Sequence, residues 1–274
     1  MPRCQTVVSG RDVDPHIVAL IGRCERLWAA EAEVARTYWD SPARSTATDR
    51  LWLLRQMYKE LIDGAVPSLT HVHHHLAGVH TAADRAEFLE ELSILRDEYT
   101  HYAGFAAIYE ALDGVVPAAA ALREQGAWPE NDRLQALRAE HRRQYGLLGL
   151  RAQRFTEGGY CTLYSEGMKL AARGGVDALI AGACAVVFED EFGHMLRGIA
   201  DLIAAPDALT DAEWRQLGGL VEQQLQHRIL MRNAQFSQPL GAKRLAAVLA
   251  GACEPLSFDY VRAFGGAAPR LPPD

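Results

Sequence analysis

The chain has 274 residues, 49% of them hydrophobic and 23% charged, and carries a formal net charge of -7. That much apolar material fills the core of one large domain, so we predict a single domain over residues 1–274. The acidic balance, with no basic run, argues against a surface that binds nucleic acid.

Apolar residues recur at three- and four-residue spacing along nearly the whole chain, and this period predicts an all-α fold. Asp14 before Pro15 is a typical helix start, because Asp caps the first turn and Pro loses no hydrogen bond there. This first helix is expected to run to about Asp40. A second helix is expected over about residues 48–77, with a kink at Pro67.

Thr81 and Asp84 form a capping pattern that opens a third helix, which is expected to end near Leu112. The residues that follow, 115–132, include two prolines and two interruptions of the apolar pattern. We interpret them as a long connection of the kind that crosses between two helical hairpins in a bundle.

Beyond this connection the pattern predicts one long helix over residues 132–173, a two-glycine turn, and a helix over residues 176–204. A second capping pattern opens a helix over residues 210–235, and a short helix is expected over 241–251. The core bundle is therefore predicted over about residues 48–204, with additional helices at both ends.

The chain contains two Asp-Glu dipeptides, and in both a histidine follows three residues after the Glu. Residues three apart share a helix face, so each segment presents a carboxylate and an imidazole together. Di-iron bundles use this pair on two helices and a single Glu on each of two others. The candidate ligands are Glu98 with His101 and Glu191 with His194. The alternative is that both segments are solvated helix faces with incidental histidines.

A neighbouring antiparallel helix must supply a further glutamate at the height of Glu98. Because the chain turns after Gly78, the residue level with Glu98 is about position 61 at equal rise per residue. Glu60 lies next to that position and is the predicted ligand. Asp63 is nearby, and Pro67 is able to shift the register of this helix.

The same reasoning on the second hairpin predicts Glu157 as the partner of Glu191. The turn at Gly174 places about position 158 level with Glu191, whereas Glu166 would lie roughly 12 Å away along the axis. The glycines that follow Glu157, at positions 158 and 159, either distort this helix or make room for a bridging ligand, as π-bulges do at functional sites.

Four carboxylates balance the charge of two ferrous ions, so the predicted ligand set makes a buried metal pair nearly neutral. The two aspartates that precede the ligand glutamates, Asp97 and Asp190, are expected to accept the second ring N–H of the ligand histidines. This contact would fix the tautomer of each imidazole.

Both Asp-Glu-x-x-His segments, with Glu60 and Glu157 ahead of them, resemble the ferritin-like di-iron carboxylate oxygenases and oxidases. The resemblance covers about residues 48–204 and implies a ferritin-like four-helix bundle that holds two iron ions, with a manganese–iron pair as the alternative. It also implies that Glu98 and Glu191 bridge the metals.

Within this superfamily the spacing is most similar to that of the arylamine N-oxygenases. Those enzymes carry an extra ligand histidine four residues before the second Glu of the last helix, where this chain has Val187. The sequence therefore predicts a six-ligand centre.

Three further residues are candidates for the reaction itself. Tyr160 follows Glu157 at i+3 and is the predicted catalytic residue. Tyr164 follows at i+7, and for both tyrosines the alternative is packing in the core with the hydroxyl hydrogen-bonded. Arg228 and Arg232 lie one turn apart and are predicted to bind a substrate carboxylate; the alternative is that they pair with acids on neighbouring helices.

The run from His71 to His75 is the other concentration of metal-binding residue types. It lies about 11 residues beyond Glu60, too far along the helix to join the same centre. The simplest interpretation is a polar helix end, where cations favour the negative end of the helix dipole.

These features predict an enzyme, a non-haem di-iron oxidase or oxygenase that oxidises a small organic substrate with O2. The expected partners are O2, that substrate and an electron donor. The donor is expected to be a reductase, a ferredoxin or peroxide. A homodimer is compatible with the pattern. The alternatives are a ferroxidase or peroxide scavenger, and a helical interaction protein without metal. The five scattered cysteines and the lack of a leader or membrane segment predict a cytoplasmic protein.

Overall fold

Helices are the only regular secondary structure in the residues that the computed structural model describes, 15–204 and 209–258. The predicted all-α fold class is confirmed over these residues. Helix α1 (Pro15–Trp39) begins at the predicted proline, and Asp14 of the predicted cap lies outside the described residues. None of the described helices combines the length and the apolar character needed to cross a membrane.

The second predicted helix is present as three joined segments. Helix α2 (Thr46–Tyr58) leads into a π-helical segment (Lys59–Ala65), and helix α3 (Val66–Leu76) follows. Pro67 lies in the first turn of α3 and has no N–H to donate back to the preceding turn. The wider π turn therefore lies directly before the proline, in the place where a kink was expected.

Helix α4 (Ala82–Ala111) starts with the predicted capping box, in which Thr81 and Asp84 each accept a hydrogen bond from the other's backbone N–H. The predicted long connection contains a short helix, α5 (Ala119–Gln125), and the next helix, α6 (Pro129–Tyr145), begins inside it.

The prediction of one long helix over residues 132–173 is wrong. After α6 come α7 (Leu147–Phe155), α8 (Glu157–Met168) and a short 3-10 segment (Lys169–Arg173). Gly146 separates α6 from α7 with a φ of 52°, a left-handed value that glycine adopts without strain. At the second break, the indole N–H of Trp28 donates to the Phe155 carbonyl at 3.1 Å.

Helix α9 (Gly175–Ala204) follows the two-glycine turn, α10 (Asp211–Gln235) begins with the predicted second capping box, and α11 (Ala242–Leu249) is short. Helix α9 packs on α4, α7 and α8, and α4 packs on α2, α3 and the π-helical segment. The π-helical segment, α4, α8 and α9 are thereby brought around one interior region.

The terminal helices are part of the core, although they fall outside the predicted core of residues 48–204. Helix α1 packs between α8 and α10, and its Trp28 is completely buried. Its Glu31 is also buried, against α10. The helices that were expected as additions therefore shape the interior on the α8 side.

Candidate metal centre

A cavity of about 500 Å³ is lined by residues of the π-helical segment, α4, α6, α7, α8 and α9. Five of the six predicted metal ligands lie on its wall: Glu60, Glu98, Glu157, Glu191 and His194. The sixth, His101, contacts Glu60 beside the cavity. The structure therefore brings all six predicted side chains into one region.

Glu60, Glu98 and His101 form a compact group that we call the first half-site. One ligand atom from each of them lies within 4.8 Å of the others. The Nδ1 atom of His101 lies 3.7 Å from Oε2 of Glu60, and its Nε2 atom lies 2.8 Å from Oδ2 of Asp190. With the proton on Nε2, the imidazole donates to Asp190 and presents the Nδ1 lone pair toward Glu60 and Glu98.

Two neutral donors hold the Glu60 carboxylate from the side opposite His101. The Tyr164 hydroxyl donates to Oε1 of Glu60 at 3.1 Å, and the Gln56 amide donates to the same oxygen. Gln56 lies one turn before Glu60, so a sequence signal for this contact was present in the i, i+4 spacing.

Gly64 allows the π-helical segment to approach α4 at the height of the ligands. A Cβ atom at this position would lie 2.2 Å from Oε2 of Glu98, so the carboxylate would have to move from its place beside the π turn. The missing side chain therefore leaves room for the carboxylate of Glu98 beside the π turn.

Glu157, Glu191 and His194 form the second half-site. The Nδ1 atom of His194 lies 3.9 Å from Oε2 of Glu191. Arg154 donates to Oε1 of Glu157 at 3.4 Å, while Oε2 of Glu157 is buried and has no hydrogen-bond partner. The competing candidate, Glu166, is bound to Arg36 and Lys169 and does not line this cavity.

The two glycines after Glu157 do not make room for a bridging ligand. A Cβ atom at Gly158 would lie 2.3 Å from the Trp28 ring, and one at Gly159 would lie 2.2 Å from Oε2 of Glu31. They admit side chains of α1, and the π-helical turn lies instead at residues 59–65.

Burial and the charges around the cavity shift the pKa of all four carboxylates. Burial and the neighbouring glutamates raise the pKa of Glu98 well above its usual range, and raise that of Glu191 to about 8. Burial also raises the pKa of Glu157 to about 7. Glu60 is the exception, since His101, Lys59 and Gln56 outweigh its burial and lower its pKa.

His101 completes this charge pattern. Burial acts to lower its pKa, but the charge of Glu60 and the hydrogen bond to Asp190 outweigh it and raise the pKa to about 10. The centre thus combines an imidazole, which a proton or a metal can satisfy, with carboxylates that repel one another. Such a group is stabilised by any cation that binds between its members.

The donor atoms fit a pair of iron or manganese ions. Carboxylate oxygen and imidazole nitrogen are ligands that these metals accept. His101 Nδ1 and Glu157 Oε2, one in each half-site, are both buried without a hydrogen-bond partner. A buried polar atom without a partner costs about 1–3 kcal/mol, and coordination to an ion would remove that cost.

The two predicted orienting aspartates have different contacts. Asp190, on α9, contacts the ring of His101 on α4, the kind of contact that was expected. Asp97 accepts hydrogen bonds from Arg96 at 2.9 Å and from Ser93 at 3.4 Å, both on its own helix.

Tyr160 lines the cavity and is surrounded by cations. Its hydroxyl accepts a hydrogen bond from Lys59 Nζ at 2.8 Å, and the guanidinium carbon of Arg228 lies 3.5 Å from its ring centroid. Burial acts to raise its pKa, but Lys59, Arg228 and Arg138 together lower it. Lys59 and Arg138, both on the cavity wall, were not identified from the sequence.

Arg228 and Arg232 are not on the cavity wall, in contrast to the expectation that they bind a substrate. Both are 0% exposed, and they donate to the carboxylate of Glu31 at 2.8 Å and 3.0 Å. The carboxylate that they bind therefore belongs to α1 of this chain. Arg232 also donates to Gln56 at 3.1 Å, so the buried pair is connected to Glu60 through one amide.

Comparison of the chain with protein-family models, with curated proteins and with solved structures gave no match.

Proposed function

We propose that this chain is a ferritin-like di-iron oxidase or oxygenase that uses O2 to oxidise a small organic substrate. The observation that carries the proposal is the common cavity wall formed by Glu60, Glu98, Glu157, Glu191 and His194, with His101 beside it. Six side chains of the right type, drawn from four helical segments, match the ligand set of di-iron helical bundles.

Each half-site would hold one ion. Glu60 and His101 would complete the first, Glu157 and His194 the second, and Glu98 and Glu191 would contact both. When bound, the metals supply one-electron redox chemistry and open positions for O2. Asp190 holds the tautomer in which His101 presents Nδ1, and the Tyr160 hydroxyl, held by Lys59, is placed on the cavity wall to donate a hydrogen bond or a proton.

The cavity has room for an organic molecule next to the ligands. At about 500 Å³ it falls within the size of typical small-molecule sites, and its wall includes Ile94 and the ring of Tyr160. Lys59 and Arg138 also lie on the cavity wall. Once bound metal ions neutralise the glutamates, the positive charge of these two side chains would be left unbalanced. This favours a substrate with an acidic or electron-rich group.

A ferroxidase or peroxide scavenger is the second candidate, and one observation favours it. Asp63 and Glu90 lie on the same cavity wall as the ligands. Carboxylates on the way to a centre attract cations and therefore suit iron as a substrate.

Anaerobic titration of the metal-free protein with ferrous iron tests the proposal directly. We expect two ions per chain at the six cavity ligands, followed on exposure to O2 by a near-ultraviolet charge-transfer band. Glu157→Gln should lose iron at the second half-site, whereas Glu166→Gln, on the same helix but bound to Arg36, should retain both ions. No uptake by the wild-type chain at neutral pH would leave only an interaction protein.

Repeated addition of ferrous iron separates the two enzymatic candidates. A ferroxidase oxidises many equivalents and releases ferric iron, whereas an oxidase of organic substrates stops after its own two ions are oxidised. Further O2 consumption then depends on an electron donor and an added organic compound.

A further inference from the structure

A second group of metal-ligand residues lies outside the cavity, between α3 and α4. His75 is in the last turn of α3, and Glu87 and Glu91 lie one turn apart on α4. One ligand atom from each of the three lies within 4.8 Å of the others. That spacing is short enough for one ion to contact all three side chains.

The contact between His75 and Glu91 is close but lacks hydrogen-bond geometry. Nδ1 of His75 lies 3.0 Å from Oε2 of Glu91, yet this oxygen is buried and has no hydrogen-bond partner in the described part of the chain. The first half-site has the same feature, since His101 Nδ1 is also without a partner while facing Glu60. In both places a ligand atom lies near an ion-pair partner but makes no hydrogen bond to it.

The surroundings orient the histidine and leave the group accessible. The His75 ring packs edge-on against Phe88 with centroids 5.9 Å apart, which restricts its rotation. Glu87 is exposed, and the other two side chains are partly exposed. Solvent can therefore complete the coordination of an ion held by one imidazole and two carboxylates, a ligand set that suits Zn²⁺, Fe²⁺ or Mn²⁺.

We propose that His75, Glu87 and Glu91 form an outer binding site for a divalent transition-metal ion. Glu91 and Glu98 are two turns apart on α4, about 10 Å along the helix axis. Glu90, next to Glu91, lies on the wall of the inner cavity. An ion at the outer site is thus placed to supply the inner centre. The outer site stands on its own geometry and does not depend on the reaction proposed above.

Equilibrium dialysis of the metal-free protein against Zn²⁺, followed by metal analysis, tests this site. Wild type should bind three ions per chain. The double variant Glu87→Gln/Glu91→Gln should bind two, as should His75→Ala. The double variant Glu98→Ala/Glu191→Ala should keep one ion, the outer one.

Matched controls lie on the same helices. His74→Ala removes an exposed neighbour of His75, and Glu110→Gln removes an exposed carboxylate of α4, so both should bind three ions. Two ions retained by Glu87→Gln/Glu91→Gln would show that this variant is folded. A wild-type stoichiometry in that variant, or an equal loss in His74→Ala, would overturn the proposal. If wild type binds a single ion that Glu87→Gln/Glu91→Gln loses, the outer site stands and the inner centre fails.

Discussion

The two half-sites use the same residue types but are held in different ways. In the first half-site, His101 forms a hydrogen bond with Asp190. Its other ligand, Glu60, accepts hydrogen bonds from Gln56 and Tyr164. In the second, an arginine contacts Glu157 at 3.4 Å, and the nearest ring atom of His194 is 3.9 Å from Glu191. The comparison indicates that hydrogen bonds already orient the ligands of the first half-site, whereas in the second a buried oxygen of Glu157 has no hydrogen-bond partner and a bound ion would have to hold it.

If the half-sites share Glu98 and Glu191, loss of either of these two carboxylates must empty both half-sites. Glu98→Ala and Glu191→Ala are each expected to abolish binding of both cavity ions, because each carboxylate is proposed to contact both. Both residues are close to the other half: besides burial, Glu191 contributes to the raised pKa of Glu98, and Glu60 contributes to that of Glu191. Metal analysis after Fe²⁺ loading measures the loss, and circular dichroism should show that helicity is retained. A variant that keeps one ion at the cavity ligands at full affinity, besides the outer ion held by His75, Glu87 and Glu91, would show that its glutamate does not bridge.

The next largest effect is on the pH dependence of the metal-free protein. Folding raises the pKa of Glu157 to about 7, of Glu191 to about 8 and of His101 to about 10. The folded chain therefore holds protons that the unfolded chain has lost, and its stability falls as pH rises from about 5 to 8. The pKa of Glu60 is lowered, so its contribution to stability is lost as pH falls, but only below the usual pKa range of carboxyl groups.

The predicted loss of stability over this range is several kcal/mol, at about 1.4 kcal/mol for each pH unit by which a pKa is displaced. Thermal unfolding at a series of pH values measures it. Saturating Mn²⁺ should remove the fall, because the ions replace the bound protons. A metal-free protein that becomes more stable from pH 5 to 8 would contradict the charge pattern of both half-sites.

The two aspartates test the comparison between the half-sites more sharply. Asp190→Asn leaves the geometry but weakens the acceptor for the His101 ring, and we expect metal affinity at the first half-site to fall about 10- to 100-fold. Asp97 is hydrogen-bonded to Arg96 and Ser93, so Asp97→Asn should lower the metal affinity of the first half-site less than Asp190→Asn does. Competitive titration against a chelator measures both. Equal losses would mean that Asp97 supports the centre as strongly as Asp190.

The sequence determines distances along a helix, and the part of this site that depends on such distances was predictable. Glu60 and Glu157 were located by counting back from the hairpin turns, which works because the rise per residue of a helix is nearly constant. The π-helical turn at residues 59–65 did not spoil the prediction of Glu60, because Glu60 lies at the start of that turn. Five of the six predicted ligands line one cavity, and the sixth, His101, contacts Glu60 beside it.

Contacts between helices that are distant in the sequence were not predictable. Glu31 and Arg228 are separated by 197 residues, and no periodicity indicates that α1 packs on α10. The break at Phe155 likewise depends on Trp28 of α1, which donates to its carbonyl. Local patterns therefore predicted helices and ligand heights, whereas the surroundings of the ligands depend on the packing of the terminal helices.

The smallest expected effect comes from a single hydroxyl in the first half-site, that of Tyr164, which also accepts a hydrogen bond from Gln56 at 2.8 Å. Tyr164→Phe keeps the ring but removes the hydroxyl that donates to Glu60 at 3.1 Å, while Gln56 still donates to the same oxygen. A typical hydrogen bond contributes about 1 kcal/mol, so affinity for the first ion should fall about fivefold. Tyr160→Phe is the matched control, because its hydroxyl contacts Lys59 and should leave that affinity unchanged. Calorimetric titration resolves the two binding steps, and a change confined to the weaker step would place Tyr164 with the second ion instead.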